Sequence, residues 1–160
     1  MSTSQSHKKH DVFISFRGED TRKTFIVHLH HALKKENIDV FVDNNLKTGD
    51  EVWDSLVEAI KDSHMSLVVF SKTYATSKWC LNELLKILEY RKLQDQVVIP
   101  VFYNIDPSHV RYQKESYEIA FGKYERESRN DEYLKKKVSD WKKALHDAAG
   151  ISGWDSSHFR

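Results

Sequence analysis

Trp79, Glu83, Lys86 and Tyr90 fall at i, i+4, i+7 and i+11 of a segment whose leucines, Leu81, Leu84, Leu85 and Leu88, form a separate stripe. The spacing predicts one helix from Trp79 to about Arg91 with Ser77 as its N-cap. It sets an indole one turn ahead of a carboxylate. Near the positive end of the helix dipole, that carboxylate is expected to stay ionised at neutral pH despite partial burial beside the indole. The plainer reading is a solvated Glu83 paired with Lys86, and spacing alone favours it, because structural ion pairs outnumber catalytic carboxylates. A second group is the turn Arg17-Gly18-Glu19-Asp20-Thr21-Arg22, where cations, a glycine and a helix start together suit a phosphate. The same turn reads equally as a helix capped by Asp20 with exposed arginines.

Other chemistries lack their residues. No GxGxxG and no GxxxxGKS/T occurs, so neither a Rossmann hydride enzyme nor a P-loop phosphotransferase is supported. A phosphoacceptor domain needs an acidic pair after the first strand and an aspartate ending the third, and those places hold Phe16-Arg17 and Phe70-Ser71. Cys80 is the only cysteine, which excludes an intrachain disulfide or a cysteine-based zinc site and fits a reducing, cytoplasmic setting, with the nucleus as a further compartment. His28, His30 and His31 crowd one helix without HExxH or paired His/Cys spacing, so no metal is expected. Lys plus Arg number 25 and Asp plus Glu 24, a net charge of +1. That balance gives no global field for nucleic acid, and the Lys135 to Lys137 run reads as a solvated face.

The elements that must position these groups alternate along the 160 residues. Short β-branched or aromatic runs at Asp11 to Phe16, Ile38 to Val42, Met65 to Phe70 and Val97 to Tyr103 alternate with helix-period segments. The helices are expected at about Thr21 to Lys35, Glu51 to Asp62 and Trp79 to Arg91, then in succession at Gln113 to Glu127 and Asp131 to Ala148. Thr48 and Glu51 make a capping-box pattern, Pro100 is a place for a bulge or strand end, and Pro107 marks an irregular segment. Ile151 to Asp155 is the candidate fifth, edge strand. At this length one domain is the default, spanning 11–157 between a polar tail at 1–10 and a short tail at 158–160. The longest apolar run, Val97 to Tyr103, is far short of the ~20 residues of a membrane helix.

A parallel series of this kind winds most readily into an open sheet of order 2-1-3-4-5 with helices on both faces, the flavodoxin-like three-layer arrangement. Ligands of such sheets bind beyond the carboxyl ends of the strands at the switch in order. There the Arg17 to Arg22 turn, the Asp43 to Asp50 loop and the Phe70 to Trp79 segment should meet. The Thr21 to Lys35 helix should be poorly covered on one flank, since no final helix follows Asp155 to share its face.

The ordered motifs HDVFISFRGEDTRKTF, FVDNNLKTGDEV, SKTYATSKWCLNELLKI, VIPVFYNIDPSHVR and SGWDSS, from His10 to about Ser157, resemble the plant-type TIR domain, the Toll/interleukin-1 receptor homology module of intracellular disease-resistance receptors. The resemblance implies a self-associating domain that cleaves NAD or NADP, taken as substrate and not as a resident cofactor, in innate immunity and cell-death signalling. It implies that Glu83 is catalytic and that Trp79 lines the nucleotide pocket, reversing the preference drawn from spacing. It further implies cofactor contacts at Arg17, Gly18, Asp20, Arg22, Leu46, Gly49 and Ser77, and self-association through His28 and Phe25. Val27 stands before His28 where the family commonly has a small residue, and the family's final helix is absent from this sequence. The alternative is a non-catalytic scaffold for other TIR domains. Nuclease or cyclic-nucleotide chemistry on nucleic acid comes from the resemblance only.

Overall fold

The computed structural model describes residues 8–18, 25–43 and 49–151 and the backbone of 154–155. Five parallel strands, β1 (His10–Phe16), β2 (Val40–Val42), β3 (Ser63–Phe70), β4 (Val97–Phe102) and β5 (Trp154–Asp155), form one sheet in the order β2-β1-β3-β4-β5. The helices are α1 (Val27–Lys35), α2 (Asp50–Lys61), α3 (Lys78–Gln94), α4 (Pro107–Arg111), α5 (Ser116–Glu127) and α6 (Glu132–Ala149). This is the flavodoxin-like arrangement expected from the alternation of runs.

Strand alternation sorts the core into two layers. Phe13, Val68, Phe70, Val98 and Phe102 face the larger layer, where Leu56 and Ile60 of α2, Leu81, Leu84 and Ile87 of α3 and Trp141 and Leu145 of α6 close over them. Val12, Ile14, Phe16, Val69 and Val101 face the other side, with Ile26 the only buried residue brought to them from outside the sheet among those described. α1 has no buried residue, and it rests on this face through the half-buried Leu29 and Leu33.

Several details differ from the sequence expectations. β4 neither bulges nor ends at Pro100, which pairs with Val68 in an unbroken register. β5 pairs with β4 at Val101 and Phe102 among the described residues. α2 begins at Asp50 with Gly49 as its N-cap and no side-chain cap hydrogen bond, so Glu51 is not the N3 partner that a capping box requires. Thr48 lies outside the described residues. The segment after Pro107 is not irregular but a one-turn helix, α4, with proline in its first turn and Asp106 accepting from Ser108 N at 2.8 Å. α5 accordingly starts at Ser116 instead of Gln113. The Lys135 to Lys137 run is a solvated face in which Lys135 pairs with Glu132 and Lys136 with Asp140 along α6.

The larger layer sets the stability that the site depends on. Leu84 is fully buried in the middle of α3, with residues of the sheet, α2 and α6 in the same cluster. Leu84→Ala is expected to lower unfolding free energy by about 2–5 kcal/mol, read from urea denaturation of the purified chain.

Candidate functional site

The site lies at the carboxyl ends of β1 and β2 and the first turns of α3. Ser77 starts α3 as its N-cap, with its hydroxyl accepting from Cys80 N at 3.1 Å, so this part of the expectation holds. Trp79 and Glu83 are one turn apart, as the spacing requires. What faces them is dictated by alternation in the strands. Ser15 shares the Phe13 side of β1, and Asp43, two residues after Phe41, follows the Phe41 side of β2, so both fall on the α3 side of the sheet. Ser15 donates to Glu83 Oε1 at 2.6 Å, and the Trp79 indole N–H donates to Asp43 Oδ2 at 2.9 Å.

Glu83 is fully buried, with 0% exposure. This overturns the expectation of a solvated carboxylate paired with Lys86, because Lys86 is bound instead to Glu89 at 3.2 Å. It also overturns the expectation of a carboxylate kept ionised by the helix dipole. Burial drives the Glu83 carboxyl well above its ordinary range, and its hydrogen bond to Asp43 and that residue's negative charge push it further. Hydrogen bonds from Ser15 and Trp79 oppose the rise without cancelling it. Loss of hydration is larger than a partial helix charge within one turn. Glu83 Oε2 has no hydrogen-bond donor among the described residues. The Asp43 carboxyl is the acidic group that interacts with Glu83.

Hydroxyls extend the network inward. Ser15 Oγ also meets Tyr74 OH at 2.9 Å, and Tyr74 OH lies 3.1 Å from the Cys80 carbonyl. With Ser15 donating to Glu83, the single Tyr74 proton is divided between Ser15 Oγ and that carbonyl. Both Tyr74 and Cys80 are pushed strongly toward their neutral forms, first by burial, so among the described residues negative charge at this site falls to the carboxyl pair. Above the pair, Trp53 of α2 meets Trp79 edge-on with ring centroids 5.1 Å apart, which fixes the indole plane.

The remaining sequence candidates distribute as follows. Arg17 ends β1 half-buried, close enough for its cation to lower Cys80 slightly, and Gly18 behind it is buried. Gly49 is exposed at φ 129°, and an added Cβ would meet nothing within 4 Å, so the glycine serves its backbone angle and not a close approach. Asp20, Arg22 and Leu46 lie outside the described residues. His28 is exposed on α1, whereas Phe25 is half-buried with its ring 5.1 Å from that of Tyr103. Sequence reasoning missed Asp43, Ser15, Tyr74 and Trp53 as site residues. The signal for Asp43 was present, an acidic residue on the Phe41 side of a strand that ends at the switch point.

An open parallel sheet of order 2-1-3-4-5 with an acidic pair and an indole beyond the ends of β1 and β2 is a flavodoxin-like domain with a polar site where such sheets take their ligands. The chain belongs to the TIR domain family, whose model matches residues 9–160. It is 47% identical over 153 residues to TMV resistance protein N of Nicotiana glutinosa, covering 95% of this chain and 13% of that protein. It is also 47% identical over 145 residues to disease resistance protein RPV1 of Vitis rotundifolia, covering 91% of this chain and 10% of that protein. The chain therefore spans only a small part of the length of these relatives. Among solved structures it resembles the TIR domains of the activated Roq1 resistosome that directly recognises the pathogen effector XopQ, with a TM-score of 0.84, 47% identity and coverage of 94% of this chain and 90% of that one.

A raised Glu83 has a definite sign in stability. The native chain keeps a proton that an unfolded glutamate, with its ordinary value of 4.5, has released. Its contribution is complete below that value and is lost as pH rises toward the native value, at no more than about 1.4 kcal/mol per pH unit. Glu83→Gln keeps the shape and removes the titration. The fall of the urea midpoint between about pH 5 and about pH 8 is expected to be shallower in this variant than in the unmodified chain.

Proposed function

We propose that this chain is a self-associating TIR domain of a plant defence receptor that cleaves NAD or NADP between nicotinamide and ribose. The observation that carries the reading is the Glu83 carboxyl, held beside the Trp79 indole at the switch point of the sheet in a chain so close to plant resistance proteins. The substrate's nicotinamide is a pyridinium. When the ribose–nitrogen bond breaks, the electron pair leaves with that nitrogen and neutralises it, so no acid is needed to protonate the leaving group. What the site must supply is negative charge beside an oxocarbenium-like ribose, which a carboxyl pair bearing one charge provides in a low-dielectric setting. Water then adds to the anomeric carbon and releases its proton to solvent, giving ADP-ribose, or the adenine of the same molecule closes a ring. Arg17 or Arg22 would hold the pyrophosphate, and Trp79 would stack on a ring.

Glu83 has no exposed surface, so a ribose reaches it only after the Trp79–Asp43 hydrogen bond has parted. On this reading clustering is what opens the site. The likeness to the TIR domains of a resistosome supports association with other TIR domains, and α1, with Val27 51% exposed and His28 exposed beside it, is the surface we assign to it. The same closed conformation is the observation that favours a second reading, a scaffold that recruits TIR domains without catalysis.

Nicotinamide release by concentrated protein from NAD and from NADP, separated chromatographically, decides between them. Cleavage is expected, with Glu83→Ala at least about a hundredfold slower while its circular dichroism is unchanged. Equal rates for the two proteins, or none in either at high concentration, would leave the scaffold.

A further inference from the structure

Ser15 donates to Glu83 Oε1 at 2.6 Å, and Oε2 has no geometrically formed hydrogen bond among the described residues. A fully buried carboxyl with a bare oxygen is costly unless that oxygen carries or shares a proton. The polar group that meets it is Asp43, which is 9% exposed and reaches inward from the end of β2. Asp43 is itself held from the other side, because the Trp79 indole N–H donates to its Oδ2. One helix therefore supplies both the acid and the donor that aims its partner. The arrangement is a chain, Ser15 to Glu83 to Asp43 to Trp79, in which each end is fixed by a neutral donor.

We propose that Asp43 is a positioning residue that holds the Glu83 carboxyl in place through one shared proton, so that the two residues act as a single unit carrying one negative charge. The proposal rests on the reading of Glu83 as the group that faces the ribosyl cation. The proton balance is simple. At rest it lies on Glu83 and is donated to Asp43. As positive charge grows on the ribose, the proton shifts along the same hydrogen bond toward Asp43, the negative charge moves to Glu83, and neither proton nor charge leaves the site. Among the described residues, the other titratable groups that interact with the pair are Tyr74 on the turn before α3 and Cys80 on α3, with Arg17 after β1 near Cys80. Tyr74 and Cys80 are pushed toward their neutral forms by burial, so neither removes the shared proton.

The test is the carboxyl titration of Glu83 in the full chain, followed by NMR of glutamate labelled at Cδ and assigned by its loss in Glu83→Gln. The Glu83 signal is expected to be that of the protonated acid at pH values where ordinary glutamates are ionised. In Asp43→Asn, whose amide replaces the shared proton and whose oxygen still accepts from Trp79, the midpoint is expected to move acidward by about one pH unit or more. The acid limb of the NAD cleavage profile should move in the same direction, and Asp43→Glu should restore part of the original profile. A Glu83 already ionised at its ordinary value in the unmodified chain would overturn the proposal even if no variant folds. An unmoved midpoint in Asp43→Asn would overturn it as well. Absence of NAD cleavage in the unmodified chain would count against the enzymatic reading alone, since the carboxyl titration is read without substrate.

Discussion

A carboxyl that has lost its water governs this molecule. Glu83 sits with no exposed surface between a serine, a second carboxyl and an indole, and every one of those neighbours comes from a different part of the chain or a different turn of α3. Taking a carboxylate out of water is expensive enough that the surroundings must either neutralise it or bind it closely. The site does the first at rest. The rest of the fold can be understood as what keeps Ser15 and Asp43 opposed to α3: a register-locked β1, a short β2 beside it, and the packing of α2 and α6 that presses α3 onto the sheet.

Such a site is strained toward function in a specific sense. The acid is generated by exclusion of solvent, yet any substrate must enter through the same closed surface. The sheet's second face has the opposite character. Among the described residues it is covered by α1, which is held by half-buried leucines and has no buried residue of its own. The two faces thus divide the work, one keeping the carboxyl dry and the other leaving a helix open to contact.

The order of strands, the leucine stripe of α3 and the place of Trp79 and Glu83 along it were legible in the sequence because each follows from a local period. The environment of Glu83 was not. Its partner Ser15 lies 68 positions away, and Asp43 is 36 positions from the tryptophan that holds it. Helical spacing favours Lys86 as the ion-pair partner because it counts only neighbours along the helix, whereas the sheet supplies neighbours from below. The dipole argument erred in the same direction, weighing a local field against a burial that no window of the sequence displays. The turn after Pro107 was misread for a related reason, since an aspartate cap and a first-turn proline can start a helix as readily as they mark a break.

The site's dependence on alternation has an evolutionary side. Ser15 and Asp43 look toward α3 only because each stands an even number of residues from an inward phenylalanine, Phe13 and Phe41. Substitutions along β1 and β2 therefore leave the aim of these groups intact, while insertion or deletion of one residue inside either strand inverts the parity and sends the polar group to the face beneath α1. Descendants of this domain should accordingly drift freely in side-chain identity along these strands but hold their length, with gaps displaced into the connecting loops.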